Sequence, residues 1–332
     1  MNYIGSKWKL SSFISATIKS VAGNDLSDKI FCDLFAGTGI VGRVFKPEVK
    51  SVISNDVEFY SYVLNKNYIE NNQVFDYENL LAELNFLEGI KGFVFEQYSE
   101  NGKAQRLYFS EQNGQKIDDS RQSIEIWKNE HQITENQYYF LLCSLLESAD
   151  KVANTASVYG AFLKKIKKSA QKKLIIEPAI FLLNSNKNQV YNEDANSLIK
   201  QISGDILYLD PPYNARQYGA NYHLLNTIAE YKTFTPKGKT GLRNYAKSKY
   251  CSQNFVQKEF ENLIKNANFK HIFLSYNNEG LMSVESVKKI LQRYGKYDLA
   301  EINYQRFKAD KTKNRVHKAE NTTEYLHILE KP

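Results

Sequence analysis

Two regions of the chain alternate short apolar runs with amphipathic segments, as expected for strands that alternate with helices. The apolar runs predict strands over residues 29–35, 49–54, 206–209, 271–275, 299–304 and 324–329. The amphipathic segments predict helices over residues 40–45, 222–231, 255–267 and 284–294. Because strands buried on both faces read as nearly continuous apolar runs, this pattern indicates a doubly wound, mainly parallel α/β sheet.

The region between these two halves has a different pattern. Residues 75–185 are rich in Asn, Gln, Glu and Tyr, and we expect Gly102 and Gly114 to lie in polar loops. Helical periodicity returns at residues 137–149. This change of pattern predicts a lobe inserted into the sheet domain.

The predicted insertion divides the chain into two domains. We predict that residues 1–74 and 186–332 form the sheet domain and that residues 75–185 form the inserted lobe. A second polar stretch, over residues 233–253, is too long for a simple connection, since loops longer than about 12–15 residues are usually functional or disordered.

Composition excludes several classes of protein. The 332 residues are 42% hydrophobic, which is enough for a sizeable core. No stretch approaches the ~20 apolar residues that span a bilayer, and the first ten residues lack the apolar segment of a signal peptide. The three cysteines are far apart in the sequence, so we expect neither a metal site nor a disulfide framework. A cytoplasmic protein without a membrane partner fits best.

Positive charge favours a polyanionic partner. The chain has 44 Lys and Arg against 37 Asp and Glu, a net charge of +7. Six of the lysines lie between positions 164 and 173, and a second basic group covers residues 306–315. Taken alone, the lysine run is best interpreted as a solvated helix face. It becomes a candidate for phosphate contacts if other features indicate nucleic acid.

A glycine-rich turn lies between the first predicted strand and the first predicted helix. It reads Asp33-Leu-Phe-Ala-Gly-Thr-Gly39, and Gly37–Gly42 also matches the GxGxxG pattern of NAD-dependent oxidoreductases. Glycines let the backbone turn tightly and approach a ligand beside a helix N-terminus, although a merely tight turn would look the same. The Asp33 carboxylate would repel a pyrophosphate but could pair with an ammonium group. It therefore favours a ligand such as S-adenosylmethionine.

An acidic residue follows the second predicted strand, in Asn55-Asp-Val-Glu58. Asp56 lies 17 residues after Gly39, close to the ~20 expected for an acid that accepts both hydroxyls of a ribose. Considered alone, it is equally suited to capping a helix. Asp56 therefore supports an adenosine-containing cofactor without separating NAD from S-adenosylmethionine.

The strongest motif, Asp210-Pro-Pro-Tyr213, follows the strand predicted over residues 206–209. Pro211 and Pro212 cannot continue a strand ladder, and they leave backbone carbonyls as acceptors. With a carboxylate before them and an aromatic ring after them, the motif can hold an amino group by two hydrogen bonds while stacking on its ring. Hydrogen bonds to the N–H protons help to localise the amine lone pair for attack on a methyl group. We therefore predict that Asp210, Pro211, Pro212 and Tyr213 are catalytic in direct methyl transfer to an aryl amine.

Together the two motifs resemble those of the DNA amino-methyltransferases, specifically the alpha-class, Dam-like adenine-N6 enzymes of restriction–modification systems. Tyr3-Ile-Gly-Ser-Lys7 is similar to the opening motif of that family, and the motif order, with an insertion before Asp210, matches the alpha arrangement. The resemblance covers residues 1–70 and about 190–332. It implies a doubly wound, Rossmann-like methyltransferase sheet with an inserted target-recognition lobe.

The resemblance also implies an activity, a cofactor and partners. It implies a site-specific, adenine-specific methyltransferase that uses S-adenosylmethionine and acts on double-stranded DNA. A restriction–modification system would add a cognate endonuclease as a partner. The resemblance gives cofactor contacts to Tyr3, Lys7, Asp33, Phe35, Gly37, Gly39, Asp56, Asp194 and Asp210. For the acid near the cofactor adenine, Glu193 is as good a candidate as Asp194.

Several alternatives remain open at the level of sequence. Cytosine-N4 enzymes typically have Ser in place of Asp210, and RNA or protein-glutamine amino-methyltransferases more often have Asn. If the chain were an NAD-dependent oxidoreductase, the motifs at Asp33 and Asp210 would have no explanation. If it were a non-catalytic DNA-binding module, it would not need a complete set of catalytic motifs.

The expected DNA-recognition surface comprises residues 75–185 together with residues 233–253, with the lysine run between positions 164 and 173 in contact with phosphates. The segment after Tyr213 exceeds the shorter Dam-like pattern, and we expect His223 within it to be a packing residue.

Overall fold

The computed structural model describes residues 7–305 and 321–332. Seven strands within these residues form one sheet. The strands are β1 (Ile30–Asp33), β2 (Ser51–Asn55), β3 (Gln189–Tyr191), β4 (Ser203–Leu209), β5 (Asn268–Asn277), β6 (Lys296–Gln305) and β7 (Asn321–Glu330). Their order in the sheet is β3-β2-β1-β4-β5-β7-β6. All pairings are parallel except those of β7, which runs antiparallel to β5 and β6.

Twelve α-helices accompany the sheet in the described part of the chain. They are α1 (Ser11–Ala22), α2 (Ile40–Phe45), α3 (Phe59–Asn65), α4 (Glu78–Phe86), α5 (Phe93–Tyr98), α6 (Glu111–Asn129), α7 (Glu135–Lys151), α8 (Ala195–Leu198), α9 (Tyr218–Asn221), α10 (His223–Glu230), α11 (Val256–Asn266) and α12 (Val284–Leu291). Within residues 7–305 and 321–332, no helix has both the length and the apolar character that crossing a bilayer requires.

The doubly wound α/β class predicted from the sequence is confirmed. The chain passes from β1 outward through β2 and β3, then returns to the other side of β1 with β4 and β5. The order therefore reverses between β1 and β4, whose carboxyl ends lie side by side, with Asp33 paired to Tyr208. In open α/β sheets, ligands bind in the crevice at such a reversal point.

The central strands are apolar because both faces of the sheet are covered. Phe31 and Cys32 of β1 are buried, as are Leu207 of β4 and Ile272 of β5. All six predicted strands and the five predicted helices form, with shifts of a few residues at their ends. The sequence prediction missed β3, which has only three residues, and seven of the twelve helices, α1 among them.

The chain divides into two compact units. The sheet unit contains the described parts of residues 7–57, 184–217 and 247–332. The helical unit contains residues 58–183 and 218–246, and it has its own apolar core, to which α7 and α10 contribute.

His223, at the start of α10, is a packing residue of this unit. It is fully buried, its Nε2 lies 3.0 Å from the Tyr159 carbonyl oxygen, and burial lowers the pKa of its ring to about 4.

The placement of Gly114 in a polar loop was wrong. Gly114 lies inside α6 (Glu111–Asn129), whose N-cap is Ser110; the Ser110 hydroxyl accepts a hydrogen bond from the Asn113 N–H. The helix is mostly polar in sequence, so its few apolar positions gave no clear periodicity. Glycine is required at position 114 because a Cβ there would overlap the Ser99 hydroxyl.

Replacing Gly114 by Ala is therefore expected to destabilise the protein by about 1–3 kcal/mol, the usual cost of overpacking. Gly160→Ala is the matched control, because a Cβ at position 160 would meet only Asn221 Oδ1, at 3.8 Å. Thermal unfolding of both variants checks this expectation. Equal melting temperatures for the two would contradict it.

The interpretation of the lysine run as a helix face was also wrong. Residues 161–183 contain turns and irregular segments but no helix or strand. Side chains of Lys164, Lys165 and Lys168 are exposed, whereas Lys167 is partly buried. The second basic group, over residues 306–315, lies outside the described residues.

Candidate active site

Two carboxylates lie at the point where the strand order reverses. Asp33 is the last residue of β1, and Asp210 follows the last residue of β4, the strand next to it. Only 1% of Asp33 is exposed, and the side chain of Asp210 is 19% exposed. The two motifs identified in the sequence thus meet at one edge of the sheet.

The glycine-rich turn follows β1 and leads into α2. Gly37 and Gly39 have φ angles of 53° and 73°, a region that residues with a Cβ rarely adopt. The Gly37 N–H donates to Asp56 Oδ2 at 2.8 Å. Asp56, just after β2, therefore fixes the conformation of the turn.

Only one of the two carboxylate oxygens of Asp33 accepts a hydrogen bond from the described residues. Its Oδ2 accepts the N–H of Gly42, in the first turn of α2, at 3.1 Å. Its Oδ1 is buried and has no hydrogen-bond partner among the described residues. Burial raises the pKa of this carboxyl to about 7, and the nearby carboxylates of Asp210 and Asp56 act in the same direction. A cationic group placed against Oδ1 would satisfy that atom and stabilise its charge.

Asp210 forms a buried ion pair with Lys7, whose Nζ lies 2.8 Å from Oδ1. Burial alone would lower the pKa of the Lys7 ammonium, but Asp210 and the other acidic groups around it keep that pKa well above its ordinary value. Burial also raises the pKa of Asp210, against the effect of Lys7. Lys7 Nζ lies 5.8 Å from the centre of the Tyr213 ring, within reach of a cation–π contact.

The aromatic end of the motif is held by a loop that follows β5. The Tyr213 carbonyl accepts the N–H of Leu281 at 2.9 Å, and the ring of Tyr213 makes an edge contact with Tyr276 at 6.3 Å between centroids. Gly280 packs against the Tyr276 ring so closely that a Cβ there would overlap it. The Tyr213 side chain is half-buried where it packs against the apolar core of the sheet unit, so part of it remains accessible to solvent.

Three further predicted residues lie around the same edge. Phe35, in the glycine turn, makes an edge contact with Tyr250 at 5.2 Å between ring centroids. Asp194 is the N-cap of α8, and its Oδ1 accepts the Ser197 N–H at 3.0 Å. The Glu193 N–H donates to the side chain of Asn55, at the end of β2. Both acids, Glu193 and Asp194, are exposed beside the second strand.

The sequence prediction missed one carboxylate of this cluster. Glu324 pairs with Asn277 in the register between β7 and β5, next to the ion pair of Lys7 and Asp210. Burial raises the pKa of Glu324, the positive charge of Lys7 opposes that shift, and Asp210 adds to it. Glu324 lies in an antiparallel strand near the end of the chain, and no sequence pattern indicates that this strand brings it beside Lys7 and Asp210.

The structure therefore brings together four of the predicted residues: Lys7, Asp33, Asp210 and Tyr213. With Glu324, three carboxylates surround one ammonium group, an arrangement that suits a ligand carrying positive charge. Asp56 holds the adjoining glycine turn, and Pro211 is buried beside Asp210. Tyr3 lies outside the described residues.

A match to a known protein family identifies the class of enzyme to which this site belongs. The model of the D12 class N6 adenine-specific DNA methyltransferases matches residues 3–290. The chain belongs to this family. The other classes considered from the sequence (oxidoreductase, cytosine-N4, RNA or protein methyltransferase, and non-catalytic DNA-binding module) are thereby set aside. This methyltransferase is an adenine-specific DNA-modifying enzyme, and its family transfers methyl groups from an S-adenosylmethionine-type donor.

Individual relatives are similar over most or all of the chain. The chain is 64% identical over 332 residues to the Type II methyltransferase M.NlaIII of Neisseria lactamica, covering 100% of this chain and 99% of the relative. It is 40% identical to M.CviAII of Paramecium bursaria Chlorella virus 1, with 93% of each chain covered. It is also 40% identical to M.FokI of Planomicrobium okeanokoites, covering 100% of this chain and 53% of that relative.

Proposed function

We propose that this methyltransferase transfers the methyl group of S-adenosylmethionine to the N6 amino group of adenine within a specific sequence of double-stranded DNA, as the modification enzyme of a restriction–modification system. The name Type II methyltransferase of its relatives supports such a system and, with it, a cognate endonuclease as a functional partner. The observation that carries the assignment of the cofactor is the buried Oδ1 of Asp33.

The residues around Asp33 fit the methionine end of S-adenosylmethionine. That cofactor, when bound, supplies an electrophilic methyl group on a positively charged sulfur, and its methionine part carries an ammonium group. Asp33 Oδ1 is a buried acceptor with no hydrogen-bond partner among residues 7–305 and 321–332, which suits the ammonium group. Asp210 and Glu324 add negative charge nearby, which favours a cationic ligand over a pyrophosphate.

The remaining cofactor contacts are assigned by position. Gly37 and Gly39 allow the backbone to approach the cofactor closely, and Phe35 lines the same turn. Asp56, next to the glycine turn, would hold the ribose through its carboxylate. Beyond β2, Asp194 or Glu193 would meet the adenine, and Tyr3 with Lys7 would close over the site.

Asp210 and Tyr213 would hold the target base. The Asp210 carboxylate accepts a hydrogen bond from the N6 amino group, a carbonyl of the Pro211–Pro212 segment accepts a second, and the Tyr213 ring stacks on the adenine. These contacts would draw electron density onto N6, the atom to which the bound cofactor would supply its methyl group; the sulfur would keep the electron pair of the broken S–CH3 bond, and N6 would lose one proton. A base within a duplex must first be flipped out of the stack, at a cost of a few kcal/mol, before it can reach such a pocket.

We assign DNA recognition to the lobe over residues 75–185 together with residues 233–253. Residues 237–249 contain exposed lysines at positions 237, 239, 247 and 249, and these are suited to phosphate contacts. The target sequence depends on side chains that reach base edges.

Titration calorimetry tests the identity of the cofactor. We expect S-adenosylmethionine to bind and NAD to give no heat beyond dilution, because a pyrophosphate would face Asp33 and Asp210. Binding of NAD without binding of S-adenosylmethionine would overturn the proposal.

Sequencing the methylated DNA of cells that express the chain tests the proposed substrate and specificity, since adenine methylation should occur at one sequence motif.

A further inference from the structure

The lysine run of the helical unit lies in a segment that we call the basic loop, residues 163–174. It contains six lysines: Lys164, Lys165, Lys167, Lys168, Lys172 and Lys173. The chain has no acidic residue between Asp150 and Glu177, so the segment does not neutralise its own charge. Five of these lysine side chains are exposed, all except Lys167.

The first half of the basic loop is fixed by a fully buried asparagine. Asn154 Nδ2 donates to the carbonyls of Leu107 and Leu163, at 2.8 and 3.0 Å, and Asn154 Oδ1 accepts the N–H of Lys167 at 3.0 Å. Lys167 points inward and donates from Nζ to the Thr155 carbonyl at 2.7 Å. One lysine of the run thus serves as an anchor.

The second half is fixed by an asparagine of α6. Asn113 Nδ2 donates to the Lys172 carbonyl at 2.9 Å and to the Ala170 carbonyl at 3.4 Å, and Asn113 Oδ1 accepts the N–H of Leu174 at 2.8 Å. Asn113 and Leu174 are both buried. Two internal amide side chains therefore help to fix the backbone path of a loop that contains turns but no helix or strand.

Five exposed lysines within ten residues concentrate positive charge on a segment that contains no acidic residue. A polyanion complements such charge, and a backbone that is already ordered loses little entropy when it binds. We propose that the basic loop is a preorganised surface for the phosphate backbone of DNA. This inference rests on the proposed function and adds to it the surface that holds the duplex.

Replacing five lysines by Gln tests the charge contribution. The variant changes Lys164, Lys165, Lys168, Lys172 and Lys173. A matched control removes the same charge from five exposed lysines of the sheet unit: Lys200, Lys258, Lys265, Lys270 and Lys289. Binding of a short DNA duplex of arbitrary sequence is measured at several salt concentrations, without cofactor. Each lost phosphate contact is expected to reduce the slope of log K against log salt by about 0.9.

Replacing Asn113 or Asn154 by Ala tests the preorganisation separately. These variants keep every lysine, so the salt slope is expected to stay that of the parent. Affinity for the duplex is expected to fall about threefold to tenfold, because the loop must now be ordered on binding. Thermal unfolding verifies that each variant is folded at the temperature of the assay.

The outcomes separate this inference from the proposed function. The inference is overturned if the five-lysine variant and the control variant show the same salt slope while the parent binds and methylates DNA. If the parent neither binds nor methylates DNA, the proposed function itself fails. Methylation at the same sequence by the parent and the five-lysine variant is expected, since phosphate contacts carry no base information.

Discussion

Asp210→Ala is expected to lower kcat for DNA methylation by about 10²–10³-fold, the usual effect of removing one preorganised electrostatic contact from an active site. Under the proposed function, the substitution removes the acceptor that would hold the target amino group. Cofactor affinity is expected to change less than turnover, although some loss should occur because Asp210 lies near Asp33 and Lys7. Single-turnover methylation and calorimetry with S-adenosylmethionine measure the two effects separately.

Asp210→Asn is the matched variant for this prediction. It keeps the shape of the side chain and one acceptor oxygen but removes the negative charge, so its kcat should fall between those of the parent and Asp210→Ala. Either substitution leaves Lys7 without its charged partner, and thermal unfolding reports any structural consequence. Near-normal turnover by the Ala variant would place the amine-binding pocket elsewhere in the molecule.

The affinity for S-adenosylmethionine is expected to depend on pH through Asp33. The pKa of this carboxyl in the free protein is about 7, because it is buried. An ammonium ligand requires the ionised form, so binding releases a proton. The dissociation constant should therefore rise about tenfold for each pH unit below 7 and level off above it. Calorimetry between pH 5.5 and 7.5 covers a range in which an α-amino group stays mostly protonated.

Asp33→Asn is the control for this dependence. Its affinity for the cofactor should be low and nearly independent of pH over the same range. A parent-like pH profile for the Asn variant would show that another group controls binding.

The same variant should gain stability at alkaline pH. The pKa of Asp33 is higher in the folded state than in the unfolded chain, where it is near 3.8, so the folded state binds the proton more tightly. This tighter proton binding stabilises the folded state fully below about pH 4, and the stabilisation is lost as the pH rises through about 7. Asp33→Asn avoids that loss, which amounts to at most about 4 kcal/mol. Its melting temperature relative to the parent should thus be highest near pH 8.

Much of the sheet and half of the site could be predicted from the sequence because their signals are local. The apolar runs of β1 and β4, each followed by a carboxylate and a turn, identify both the strands and the edge at which Asp33 and Asp210 meet. The order of motifs could not show that β7 inserts between β5 and β6, which brings Glu324 to the ion pair of Lys7 and Asp210.

Predictions failed where tertiary contacts decide local structure. Gly114 reads as a loop residue, yet it lies in α6, and it is glycine because the helix approaches Ser99 too closely for a Cβ. The lysine run reads as a helix face, yet side-chain hydrogen bonds from Asn113, about 60 residues earlier, and from Asn154 hold it in an irregular path. Side-chain amides that bind backbone groups leave no periodic pattern.

The place of β4 next to β1 also determines when the sheet can be completed during synthesis. The N–H of Ile30, at the start of β1, donates to Asp205 of β4, which is 175 residues later in the chain. Until β4 has emerged from the ribosome, one edge of β1 has no strand to pair with, and an apolar strand with an open edge is a site of aggregation. The helices over residues 58–183 lie within the intervening segment and are rich in local contacts, which form quickly. The two carboxylates of the candidate active site, Asp33 and Asp210, therefore come together only late in synthesis.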